Sequence, residues 1–246
     1  MSELDALVRR VDEDRWLASR FAPAQVRKRL VALYALNYEL AHVSETVSQP
    51  AVGDIRLAWW RDALAAIRAG SAFPSHPVLL AYAEAHAAKP LSSDLLERMI
   101  EARRKDLDAQ PFANWAEAED YLDATAGGLV RLALEVSGAE RAPGVEVLAR
   151  AAGQAWGAAG LLRAEQHWSG RGRSAVPASG GAMQRYRDMA DEALAQLAHI
   201  RVPQAAWPAL GYVALTRQYL RRLGCAPPLL IAKQARLIAS AATGRL

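Results

Sequence analysis

The sequence predicts an all-α protein, and three observations predict it. Apolar residues recur at spacings of three and four almost throughout, strand-like alternation is nearly absent, and glycine, proline and short polar residues stand where helices would begin and end. Leu4, Leu7, Val8 and Val11 make a first stripe that runs on towards Trp16 and Leu17. After the break at Phe21-Ala22-Pro23, Val26, Leu30, Leu33, Tyr34, Asn37, Leu40 and Val43 mark a long helix ending near Pro50. Gly53-Asp54 opens a third helix with Asp54 as its N-cap, which carries Ile55 to Ile67 and stops at Gly70. Residues 77–87 form a short helix, and Ser92 or Ser93 caps another that reaches about Leu107. Residues 115–136 follow, interrupted at Gly127-Gly128, and then a helix rich in alanine and glycine from 144 to about 168. A Gly/Ser/Arg loop over 169–181 precedes three last helices at 183–200, 207–223 and 227–242. No linker or repeat divides the chain, so one domain over residues 1–246 is expected.

Composition narrows the function classes. With 246 residues and 52% hydrophobic content the chain can bury a sizeable core. Its start is acidic and shows neither an apolar signal region nor an acid-free transit pattern. The longest uncharged apolar stretch, residues 151–162, is too short to span a bilayer. A single cysteine, Cys225, allows neither an internal disulfide nor a cysteine-based zinc site. The expected location is the cytoplasm, free or peripheral at the inner membrane. The net charge of +4 does not imply nucleic acid: the arginines are scattered among acids, and no basic run interleaved with aromatics occurs. Ala151, Ala152, Gly153, Gly157, Ala158 and Gly160 put small residues on one helix, which suits either close helix contact or the wall of a cavity.

Three motifs carry a resemblance. Residues 29–37, reading Arg-Leu-Val-Ala-Leu-Tyr-Ala-Leu-Asn, lead into Glu39-Leu40-Ala41-His42. Ile55-Arg56-Leu57-Ala58-Trp59-Trp60-Arg61-Asp62 follows, and much later come Leu161-Leu162-Arg163 and the loop Gly170-Arg171-Gly172-Arg173-Ser174-Ala175-Val176-Pro177. In this order the chain resembles the squalene/phytoene synthases, from about Asp14 to its last helix. The resemblance implies an isoprenoid synthase fold: helices around a central cavity, where catalytic members join two prenyl diphosphates head to head. In those enzymes two aspartate-rich motifs bind magnesium, which needs hard oxygen ligands and neutralises the departing diphosphate.

This chain departs from both motifs. The first falls on Ala41-His42-Val43-Ser44-Glu45 and leaves one carboxylate; the second falls on residues 163–168, where Ala164 and Trp168 replace the acids. Glu165 is one helical step, about 100°, from the lost position. A divergent branch of the family, which includes a mitochondrial factor for respiratory complex I assembly and its bacterial relatives, shows the same loss beside a similar Arg-Leu-x-Trp-Trp segment. The resemblance therefore implies a degenerate member with no catalytic residue, no metal ligand and no cofactor; magnesium belongs only to the alternative of an active prenyltransferase. The implied partners are a prenyl-type lipid or diphosphate and a protein of a respiratory complex. Tyr38, Glu45, Arg56, Trp59, Arg163, Arg171 and Arg173 are the positions expected to contact such a ligand, the arginines because guanidinium forks match phosphate oxygens. His42 has no second ligand at metal spacing.

Overall fold

The computed structural model describes residues 2–170, 177 and 181–246, and these form helices with no strand among them. Asp12 breaks the first predicted stripe in two. Its non-helical backbone ends α1 (Glu3–Val11), while its carboxylate accepts from the Arg15 backbone N at 3.4 Å and starts α2 (Glu13–Ser19). Pro23 then precedes the long α3 (Ala24–Thr46), whose Leu30, Leu33, Tyr34, Leu36 and Leu40 are buried at its middle.

Helix α4 (Pro50–Arg68) begins three residues before the predicted Gly53, because Pro50 sits in the first turn, where its missing N–H costs nothing. Asp54 is therefore not a cap; it pairs with Arg104 at 3.0 Å. Gly53 is where α4 runs against Leu107, so closely that a Cβ would overlap the leucine methyls. Helices α5 (Pro77–Ala88) and α6 (Ser93–Ala102) stand nearly as predicted, with Ser92 accepting from the Leu95 N. A 3₁₀ turn, Arg103–Leu107, carries α6 on.

Helix α7 (Trp115–Leu122) is closed by a reciprocal cap: Asn114 accepts from Glu117 N and Glu117 from Ala113 N. It passes through a π-helical turn, Asp123–Gly127, into α8 (Gly128–Ser137), so the predicted interruption at the glycine pair is a π insertion. Helix α9 (Val145–Ser169) crosses that turn. A Cβ on Gly153 would lie 2.5 Å from the Gly127 Cα, and one on Gly157 2.7 Å from a Leu122 methyl. Of the two readings of these small residues, close helix contact is the observed one at Gly153 and Gly157.

Helix α10 (Ala182–Ala198) packs along α9. The predicted helix over 207–223 is broken into α11 (Trp207–Leu210), a 3₁₀ turn (Gly211–Leu215) and α12 (Thr216–Leu220). The Trp207 indole lies across Gly211, where no other side chain would fit. Helix α13 (Leu230–Thr243) closes the fold against that 3₁₀ turn and α2.

Candidate functional site

The predicted positions fall into two groups, set on different helices. The first is at the C-terminal end of α3, where spacings of four and three put Tyr38, His42 and Glu45 in a row. The Tyr38 ring stacks on His42 with centroids 5.1 Å apart, and His42 Nδ1 meets Glu45 Oε2 at 2.8 Å. Arg56, from α4, donates to Thr46 Oγ1 at 2.7 Å. Three of the predicted positions thus gather where α3 gives way to α4. Trp59 and Trp60 point in different directions, as a helix requires. Trp60 is buried and Trp59 is 41% exposed, each lying edge-on to His76, at 5.1 and 6.3 Å respectively.

The second group surrounds Arg163. Its guanidinium lies 4.2 Å from the Tyr219 ring centroid and 5.1 Å from that of Trp156. Arg171 and Arg173 lie outside the described residues.

Beneath Arg163 is a buried charged assembly that no sequence motif announces. Arg15 is fully enclosed, pairs with Asp12 at 2.7 Å, and lies within 6.0 Å of three ring centroids: Tyr34, Trp156 and Tyr212. Burial alone would lower its pKa, but Asp12 and Tyr212 outweigh burial and raise it, so it stays charged. Trp156 therefore has a guanidinium near it on two sides, Arg15 and Arg163. Next to this, buried Lys233 of α13 pairs with Glu13 and Asp14 of α2, both at 2.9 Å, and the Tyr219 hydroxyl donates to Asp14 at 2.6 Å. Arg15, Trp156, Tyr212, Tyr219 and Lys233 come from widely separated stretches of chain. The only local trace of the assembly is the Asp12–Arg15 spacing of three.

A further buried cluster joins the 3₁₀ turn after α6 to α7. Arg103 donates to Asp106 at 3.1 Å and to the Tyr121 oxygen at 3.0 Å, and the Tyr121 hydroxyl donates to Asp106 at 2.6 Å. Burial and the adjacent Asp106 push the Tyr121 pKa far up, so the phenol stays protonated.

The donor set does not fit a magnesium–diphosphate site. At the positions matching the family's first motif Glu45 is the one carboxylate, and it is engaged with His42. At the second, Ala164 supplies no oxygen and Glu165 is half-buried. Among the described residues no three His, Cys, Asp or Glu side chains converge. Arg163 is exposed and lies over the buried Trp156 and Tyr219 rings, and its guanidinium suits a phosphate. Grooves of about 290 to 580 Å³ open elsewhere on the described surface, away from α9.

Comparison with known proteins bears on the family and the fold. The sequence profile of squalene/phytoene synthase matches residues 8–180. A mouse protein described as NADH dehydrogenase (ubiquinone) complex I, assembly factor 6, is 29% identical over 240 residues, covering 88% of this chain and 72% of the mouse protein. Among solved structures, the squalene synthase HpnC from Alicyclobacillus acidocaldarius superposes with a TM-score of 0.63 at 20% identity, covering 98% of this chain and 92% of that one. A dehydrosqualene synthase in complex with ligand gives 0.73 at 15% identity, covering 97% and 94%. These two structures establish a shared isoprenoid synthase fold, as the resemblance implied.

Proposed function

The chain belongs to the squalene/phytoene synthase family, and we propose that it no longer joins prenyl diphosphates but supports the assembly of a respiratory complex. One observation carries this reading. The two positions where the family holds magnesium-bound diphosphate retain a single carboxylate between them, Glu45, paired with a histidine. Ionising an allylic diphosphate requires charge stabilisation that grows in the transition state. Arginines can hold the diphosphate in the ground state, but they do not replace a bridged metal cluster.

The similarity to complex I assembly factor 6 supports the second half of the reading. The ligand we propose is a prenyl-type lipid or diphosphate held through exposed Arg163, with Tyr38, Glu45, Arg56 and Trp59 as further contacts, or a protein of the complex itself. The work is done in the cytoplasm at the inner membrane. No described helix is long and apolar enough to cross a membrane.

Arg163 favours a second reading, an active head-to-head prenyltransferase with an altered metal site. One experiment separates the two. Purified protein is given farnesyl or geranylgeranyl diphosphate, magnesium and NADPH. The expected result is no squalene, phytoene or cyclopropyl intermediate, and no magnesium-dependent heat with a non-hydrolysable prenyl diphosphate. Robust turnover would install the enzyme reading. In a parallel deletion strain, assembled NADH-oxidising complex should fall and return with the wild-type chain; an unchanged complex would remove the assembly role.

A further inference from the structure

All 26 acidic residues of the chain lie before position 193. The last 54 residues hold seven basic ones and no aspartate or glutamate, so this stretch carries +7 while the first 192 residues carry −3, together the chain's +4. The asymmetry matters because the same stretch ends in a surface helix with the wrong outward face.

Helix α13 turns Lys233, Leu237 and Ser240 inward onto α2 and the Gly211–Leu215 turn. The opposite side is formed by Ile231, Ala235, Ile238 and Ala242, which are exposed. Ile231 is 74% and Ile238 60% exposed, and Leu229, just before the helix, is 70% exposed. The outer face of a helix packed on a soluble domain is ordinarily charged or polar. Here the outward stripe is aliphatic, while on the inward side Lys233 pairs with Glu13 and Asp14 of α2.

Exposed arginines accompany the helix at both ends. Arg221 and Arg222 stand in the segment leading into it. Arg201 and Arg245 meet at its C-terminus, where Val202 N donates to Gly244 O at 2.9 Å. None of these four pairs with a described carboxylate within the range of an ion pair. Beside that end opens a groove of about 550 Å³ lined in part by Phe21, Arg201 and Trp207, and the Trp207 indole N–H is buried without a hydrogen-bond acceptor.

We infer that α13 is a docking surface for an anionic lipid bilayer, on which the helix lies in the plane of the interface. Ile231, Ile238 and Leu229 enter the boundary between headgroups and acyl chains, and Arg201, Arg221, Arg222 and Arg245 meet the lipid phosphates. A second copy of the chain is the poorer occupant, since two such surfaces would bring like charges together. The inference is independent of the assembly role, because bilayer binding is a property of the isolated full-length protein.

The test is sedimentation with vesicles of equal parts phosphatidylcholine and phosphatidylglycerol, against vesicles of phosphatidylcholine alone. The full chain should pellet with the anionic vesicles and much less with the neutral ones, and added salt should weaken binding. Ile231→Asp with Ile238→Asp alters only outward positions, so its thermal melt should match the wild type while vesicle affinity falls roughly tenfold or more. Arg221→Gln and Arg222→Gln should each cost roughly fivefold. Absent binding, equal binding to both vesicles, or binding indifferent to the isoleucine changes would overturn the inference. An altered sedimentation coefficient in the isoleucine variant without vesicle binding would also overturn it, in favour of a protein partner or second copy.

Discussion

At the scale of single residues, the fold depends on two buried or half-buried groups whose protonation can be followed. Lys233 is one. Burial alone would lower its pKa, yet hydrogen bonds with Asp14, Tyr219 and Glu13 more than reverse this and raise it above the ordinary 10.5. Its contribution to stability is therefore complete below that ordinary value and is lost only as pH rises through the higher folded value. Lys233→Met strands the Asp14 carboxylate in the core and should cost about 3–5 kcal/mol in urea unfolding. Adding Asp14→Asn, which can still accept from Tyr219, should recover most of that; no recovery would mean that the methylene packing, not the charge pair, matters. His86 has the opposite sign. Burial, and then the nearby Arg68, hold its imidazole below 6.5, and its Nδ1 is placed to accept from the Leu91 backbone N at 3.4 Å. A folded pKa below the unfolded one means stability present above 6.5 and lost as pH falls. On acidification the wild type should therefore melt progressively lower than His86→Gln, which cannot titrate; parallel curves would show that the ring is indifferent to its proton.

At the scale of elements, α9 shows how glycines of one helix differ in meaning. Gly153 lies against the backbone of Gly127, which has no side chain to move aside. Gly153→Ala should therefore destabilise by about 1–3 kcal/mol through overpacking, in spite of the roughly 1 kcal/mol that alanine gains in an open helix. Gly157 meets the end of the Leu122 side chain, which can shift, and the Ala126 Cβ only at 3.0 Å, so its cost should be smaller than that of Gly153. Gly160 has nothing within 4 Å, and Gly160→Ala should stabilise by up to about 1 kcal/mol. Chemical denaturation of the three variants checks the order, and equal effects would contradict the contact geometry. The glycine content was legible in the sequence as either close helix contact or the wall of a cavity. Which glycines touch, and that the Gly127-Gly128 interruption is the π turn they touch, was not, because that depends on the crossing point of two helices far apart in sequence.

At the scale of the whole molecule, the ends of the chain are tied into one core. Tyr219 donates to Asp14 across 205 residues of sequence, and Lys233 reaches Glu13 across 220. Arg15 of α2 brings Tyr34 of α3, Trp156 of α9 and Tyr212 of the 3₁₀ turn to a common point. A chain tied in this way should unfold as one unit, as the undivided sequence suggests. Tryptophan fluorescence, to which Trp156 in this core contributes among seven tryptophans, and far-ultraviolet circular dichroism should then give coincident urea transitions. Separated midpoints would reveal a subdomain.

The sequence by itself determined the helical class, most helix positions and which residues stand at the positions that match the family's acidic motifs. Periodicity and caps are local, and no packing can supply a carboxylate where Ala41, Ala164 and Trp168 stand. Spacings of three and four also put Tyr38, His42 and Glu45 in one row on α3, while the contact of Arg56 with Thr46 depends on how α4 packs. Only the tertiary structure decided that Trp59 is the exposed tryptophan and Trp60 the buried one. It alone decided that Asp12 and Asp54 act as a helix break and an ion-pair partner, and that Arg163 stands over an enclosed set of rings and charges. The reason is physical: a buried charge is tolerated only where its partners arrive in three dimensions, and those partners come from opposite ends of the chain.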